Sequence, residues 1–243
     1  MLGPEVEKYG PNVKVVVIAF VLGALFCVPF WFGAKEANNR TGWAIFFAVA
    51  SFFVLFVVYL VSSRASLHVD GVSCRSIFGE KEMRWTEVER FRYGSHEVIA
   101  QGIALGAFYQ IKLIDEHGST ISFGDRIGRA AEFIQKLNQL TFETLMQKAT
   151  RHFDSGAELD FGAIHLSRSN GLSINRWFGT KETPWQELVS CHMGAADTWD
   201  TERFSITRVG KKLPQTQSIP VERLYNAAVL LALINRTLSR GPC

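Results

Sequence analysis

The chain has 243 residues, room for one or two domains, and a net charge of +3, too small for a nucleic-acid binder. Hydrophobic residues make up 47% of it but are unevenly spread, with two long charge-free runs that argue against a purely soluble protein. Cys27, Cys74, Cys191 and Cys243 show no CxxC spacing, which excludes a disulfide-dense scaffold and a zinc finger.

The first charge-free run spans Val15 to Ala34 and the second Thr41 to Ser63. Each is long enough to cross a bilayer core of roughly 30 Å as a helix. Neither has a polar face, which a soluble amphipathic helix needs and a helix in lipid does not. Pro29 removes one backbone hydrogen bond from the first run and can kink it. Trp31 ends the first run, and Trp43 and Tyr59 sit near the two ends of the second, as interfacial aromatics do. A cleaved signal peptide fits less well, because no small-x-small site follows the apolar stretch cleanly. Cys27 follows Phe26, where a lipoprotein site needs a small residue.

The connector from Gly33 to Gly42 is short, so the two spans form an antiparallel hairpin with both flanks on one side. That side carries Lys8, Lys14, Arg64 and Arg75, against Lys35 and Arg40 in the connector. Four basic residues against two place the flanks, and the part after Arg64, in the cytoplasm.

After Arg64 the chain turns to short alternating runs broken by Gly, Asp and Asn. It holds an internal repeat: Gly71–Val88 aligns without a gap to Gly171–Leu188, 100 positions on. Eight of the eighteen pairs are identical, including Phe78/Phe178, Gly79/Gly179, Lys81/Lys181, Trp85/Trp185 and Glu87/Glu187. Each copy predicts a meander. A strand leads to a tight turn at Asp70-Gly71 or Asn170-Gly171, a second strand ends at Phe-Gly, and a third leads to the tryptophan. Further strands are expected after Val88 and Leu188, at 109–114 and 120–123, and at 203–209 and 216–219. The apolar segment 98–108 reads as an irregular loop that packs on the sheet or touches the membrane surface or the second unit. Apolar residues at helical spacing predict one helix over about 128–151. A second, of about twenty residues, starts at Pro220 with Ser218 as its cap and ends before Gly241.

The stretches Lys81-Glu-Met-Arg-Trp85-Thr-Glu-Val88 and Lys181-Glu-Thr-Pro-Trp185-Gln-Glu-Leu188 resemble the "RRIPWSEI"-like segment of the bacterial pleckstrin-homology-like (PH-like) domain. The tail from Ser218 to Leu233 is similar to the closing strand and helix of that group. The resemblance covers roughly residues 65–240. Two spans followed by two such units resemble membrane-anchored bacterial proteins of unknown function. The implied fold class is α+β: a transmembrane hairpin over 1–64 and two tandem PH-like units over 65–153 and 154–243. Each unit would be a bent antiparallel sheet or barrel capped by a C-terminal helix.

Trp85, Trp185, Phe78 and Phe178 are expected in the core, since duplicated aromatic positions tend to be packing positions. Glu87 and Glu187 are expected to cap local backbone or pair with Lys81 and Lys181. Anion recognition would draw on Arg75, Lys81 and Arg84 in the first copy and Arg168, Arg176 and Lys181 in the second. The part after Ser63 carries 22 basic and 20 acidic residues, so its overall charge does not single out an anionic ligand. No HExxH or HxxxH spacing, phosphate-cradling glycine loop or nucleophile–base pair appears. Cys191 and His192, adjacent on a strand, point to opposite faces. The sequence therefore predicts no enzyme, no cofactor and no metal. It predicts an integral protein of the bacterial inner membrane that acts as a binding or scaffold module for a protein partner, with weak contact to anionic lipid and none to nucleic acid. A toxin-immunity or secretion accessory role and an anionic-lipid sensor are the alternatives.

Overall fold

A computed structural model describes residues 2–37, 40–100, 103–124, 127–176, 179–195, 202–209 and 214–240. The chain opens with a strand, β1 (Glu5–Tyr9), and two helices, α1 (Val13–Ala37) and α2 (Arg40–Ser62). Strands β2 (Arg64–His68), β3 (Gly71–Ser76) and β4 (Gly79–Arg84) follow, then β5 (Val88–Ala100), β6 (Ile103–Asp115) and β7 (Thr120–Phe123). A long helix, α3 (Ala130–Asp154), leads into β8 (Leu159–Asp160), β9 (Ile164–Ser167), β10 (Gly171–Arg176) and β11 (Gly179–Thr183). The chain continues through a 3-10 turn at Trp185–Glu187 into β12 (Leu188–Ala195), β13 (Glu202–Arg208) and β14 (Gln215–Pro220), and closes with α4 (Ala227–Arg240).

The fold is α+β, and its described strands form four antiparallel sheets. Their orders are β1-β2-β3-β4, β5-β6-β7, β11-β10-β9-β8 and β12-β13-β14. Among the described residues no sheet closes on itself, so the barrel alternative is replaced by open sheets. By its contacts the chain divides into two compact units, one of residues 1–83 with 123–130 and the other of 84–122 with 131–243.

The first unit is built around the helix pair. Both helices are long and apolar enough to cross a membrane, and little of either is buried by the rest of the protein. They meet at Gly23, where a side chain would collide with the Phe53 ring at 2.9 Å, and Phe26 stacks on Phe53 at 6.0 Å. At the connector end Trp31 sets its edge against Trp43 and Phe46, at 5.2 and 5.4 Å.

Strand β1 was not expected from the sequence. It pairs antiparallel with β2, Tyr9 against Ala65 and Glu5 against His68. The strand that enters α1 is thus joined to the strand that leaves α2. Tyr9 is fully buried, with the Arg129 guanidinium 4.9 Å from its ring centre. Arg129 also pairs with Glu7 at 3.4 Å. Its segment is tied to the base of α1 by a bridge between Pro11 and Ile127 and by the Gly128 N–H donating to the Gly10 carbonyl at 2.9 Å.

In the second unit β5 and β6 form one long hairpin, paired from Val88–Asp115 to Ala100–Ile103 with a register shift between Val88 and Arg90 and another between Val98 and Ile99. Segment 98–108, expected as a loop, is therefore strand apart from 101–102, which lie outside the described residues. Its Gly and Ala content hides the alternation that would mark a strand, and cross-strand pairing supplies the order instead. The buried face of α3 includes Phe133, Ile134, Leu137, Leu145 and Phe153, and that of α4 includes Val229, Leu230, Leu233 and Ile234.

Helix α4 starts seven residues later than expected. Pro220 ends β14, and Ser218 does not cap the helix but meets Ser205 across the sheet at 2.9 Å. The start is set by Asn226, which adopts a left-handed φ of 49° that Asn tolerates. Its side-chain oxygen accepts from the Phe91 N–H at 2.7 Å, its amide nitrogen donates to the Glu89 carbonyl at 3.0 Å, and its own N–H donates to the Phe91 carbonyl at 2.7 Å. Asn226→Ala leaves two backbone groups of β5 without these partners, each worth about 1–3 kcal/mol when buried. A loss of unfolding free energy of that order in urea denaturation, together with faster amide exchange at Phe91, is the expected outcome.

Candidate functional site

Of the residues singled out for anion recognition, Arg75 and Lys81 lie in the first unit, on β3 and β4, and Arg84, Arg176 and Lys181 lie in the second. Arg75, Lys81 and Arg84 are all exposed. Lys181 stands opposite Ile174 on the neighbouring strand, and Arg176 opposite Gly179. Glu87 caps local backbone, accepting from the Arg84 N–H at 2.9 Å.

The aromatic residues behave differently from one another. Trp85 and Trp185 are buried, with 7% and 5% exposure. Phe78, expected in the core, is corrected by the structure: it is 85% exposed at the β3–β4 turn. The turn itself is the cause, because Gly79 takes a φ of 121° and the reversing chain turns Phe78 outward. Phe178 lies outside the described residues.

Trp185 forms the floor of a cleft in the second unit. Its indole N–H donates to the carbonyls of Ser167 and Arg168, both at 3.0 Å, and its ring meets Phe153 of α3 edge-on at 6.2 Å. Gly171 allows the close approach: a Cβ there would collide with the backbone of Thr183 and Pro184. The cleft is lined by Phe153, Asp154, Arg168, Trp185, Leu233, Arg236, Thr237 and Arg240. Arg168 comes from the β9–β10 turn, and Arg236 and Arg240 come from one face of α4, four residues apart. Asp154 is the one carboxylate in this lining. It pairs with Arg236 at 3.7 Å, and its backbone carbonyl accepts from Arg168 at 3.1 Å. Arg236 also donates to Thr150 at 3.2 Å.

Three guanidinium groups against one carboxylate leave net positive charge over an apolar floor. Such a place takes a carboxylate or phosphate with two-pronged hydrogen bonds. Arg168 stands out in the sequence among the basic residues of the second copy, whereas Arg236 and Arg240 do not. Their i, i+4 spacing was the only local signal, and α4 reads first as a core helix.

A second polar cluster lies at the β5–β13 side of this unit. Tyr93 donates to Glu202 at 2.7 Å, and burial, reinforced by the Glu202 carboxylate, holds the phenol well above its usual range. Tyr225 lies under two cations, Arg90 at 5.1 Å and Arg92 at 5.6 Å, and Arg90 pairs with Asp160 at 3.2 Å. These contacts are mutually satisfied and tie β5 to the segment before α4. Cys191 is buried and His192 exposed on the same strand, so the two side chains occupy opposite faces. Among the described residues no cluster of three or more His, Cys, Asp or Glu side chains could hold a metal ion.

Trp185→Ala removes the floor and is expected to destabilise the protein by about 3–5 kcal/mol, whereas Phe78→Ala should stay within about 0.5 kcal/mol of wild type. Chemical denaturation of the two variants side by side checks this, and equal losses would contradict it. Burial pushes the Cys191 thiol up from 9.0 to about 12. A group whose pKa is raised on folding favours the folded state below its unfolded pKa and loses that contribution as pH climbs through the folded value. Melting temperature should therefore fall from about pH 9 upward. The fall should be shallower in Cys191→Ala, and the wild-type thiol should stay unlabelled by thiol reagents at neutral pH in the folded protein.

A comparison with curated proteins returned no match. A family described as being of unknown function, DUF6585, matches residues 1–242. That match covers the helix pair and every described sheet, and the chain belongs to this family.

Proposed function

We propose that this protein is a non-enzymatic, membrane-anchored binding module that holds a protein partner at the cytoplasmic face of a bacterial inner membrane. The observation that carries the reading is the junction of helices and sheet. Helix α2 ends at Ser62 and β2 begins at Arg64, while β1 and α1 are separated by three residues. The helix pair therefore runs into one sheet at both of its ends, which is how an anchor attaches to the part it presents. Lys8, Lys14, Arg64 and Arg75 at that end favour the cytoplasmic side.

The presented part is read as two tandem PH-like units. Strands β2-β3-β4 and β9-β10-β11 share their order, each set is followed by a three-stranded antiparallel sheet, and a helix closes each run. These parallels support the reading, as does the alignment of Gly71–Val88 with Gly171–Leu188. On this view the cleft of Arg168, Arg236 and Arg240 over Trp185 receives an acidic segment of the partner.

Gentle affinity purification of the full-length chain from native membranes, wild type against Arg236→Glu/Arg240→Glu, tests the proposal. One protein co-purifying in stoichiometric amount, and lost from the variant, is the expected result. Wild-type protein that comes out alone, or with lipid only, overturns it.

A further inference from the structure

The turn between β3 and β4 carries two apolar side chains that the protein does not bury: Ile77 is 48% exposed and Phe78 is 85% exposed. The one ring Phe78 approaches among the described contacts is Tyr59 of α2, at 6.0 Å between centroids. Tyr59 stands three residues before the end of α2, which is about 4.5 Å inside that end at the rise of a helix. Amphipathic rings gather at that level of a spanning helix, where acyl chains give way to headgroups. The tip is also held in shape. The Ser76 hydroxyl accepts from the Phe78 N–H at 3.2 Å, and Gly79 supplies the left-handed φ the reversal needs.

The strands behind the tip carry a second oddity. Arg64, the second residue after α2, stands directly across from Arg75 in the β2–β3 register. Like charges in facing positions repel, and neither arginine has a carboxylate partner among the described residues. A phosphate anion between the two guanidinium groups removes that repulsion and satisfies both forks. Glu80 and Glu82 follow the tip on β4, with Lys81 between them.

We infer that the β3–β4 turn is a third contact with the bilayer. Ile77 and Phe78 enter the boundary between headgroups and acyl chains beside Tyr59, and Arg64 and Arg75 hold the phosphate of an anionic phospholipid. The inference rests on the reading of α1 and α2 as membrane spans, and the experiment separates the two.

The full-length protein is reconstituted in vesicles of phosphatidylcholine and phosphatidylglycerol with p-benzoylphenylalanine placed singly at Phe47, Phe78 or Val69. After illumination, lipid adducts are read by mass spectrometry. Phe47, 61% exposed within α2, reports the span, and Val69, 55% exposed at the opposite end of β2, reports the aqueous side of the sheet. Adducts at 47 and 78 but not at 69 are expected. The adducts at 78 should be enriched several-fold in phosphatidylglycerol relative to those at 47, and that enrichment should vanish in Arg64→Gln/Arg75→Gln. Adducts at 47 without any at 78 overturn the inference and leave the spans standing. No adducts at 47 overturn both. Adducts at 78 with the same lipid ratio as at 47 overturn the assignment of the arginines to a lipid phosphate.

Discussion

The pairing of β1 with β2 is the constraint on which the first unit depends. The two strands are neighbours in the sheet yet lie on either side of a helical hairpin of about fifty residues. The packing of α1 on α2 brings the two strand ends together, and the β1–β2 ladder then locks them side by side. Tyr9 is buried in the sheet with Arg129 against its ring, and Glu7 pairs with Arg129. The same contacts fix where the segment before α3 departs, because Ile127 and Gly128 are bonded to Pro11 and Gly10. One short strand thereby sets the base of both helices, the edge of the sheet and the path of the chain beyond it.

The second unit is ordered by a different device. Instead of one long-range strand pairing, single polar residues reach across the sequence to backbone groups. Asn226 bonds to Glu89 and Phe91, and Lys148 donates to the carbonyls of Thr86 and Val88 at 2.8 and 3.1 Å. Trp185 does the same with its indole, joining the turn after β9 to α3 through Phe153. Each such residue satisfies backbone groups that the strands and helices leave over, and each brings an element end into a defined place. The arginine cleft follows from this, since its lining comes from four separate segments: the end of α3, the β9–β10 turn, the turn at Trp185 and α4.

How much of this was legible in the sequence varies by the range of the interaction. The two helices were legible because a charge-free run of twenty or more residues is a local property. The meanders were legible because turns at Asp70-Gly71 and Asn170-Gly171 are written in adjacent residues. Strand β1 was hidden, since five residues before an apolar run show no partner, and its partner lies beyond the whole hairpin. Phe78 misled for the opposite reason. Its place in the repeat suggested a shared core position, whereas the left-handed glycine after it turns the ring outward. The start of α4 was placed too early because Pro220 is a good helix opener in isolation. The bonds from Asn226 to β5 decide the matter, and they span more than a hundred residues. Of the candidate cleft, Trp185 and Arg168 were visible in the sequence, but the convergence of Arg236 and Arg240 with them exists only once α4 has packed.

Ser63 alone separates the end of α2 from β2, and this sets the mechanical character of the first unit. A domain on a flexible tether explores a volume that grows with tether length and meets partners by search. A sheet joined to its helix pair through one residue on one side and three on the other has almost no such volume. Its orientation follows that of the helices, so a change in helix tilt becomes a rotation of the sheet rather than slack in a linker. If α1 and α2 span a bilayer as proposed, anything that recognises this sheet must come to it in the thin layer above the helix ends.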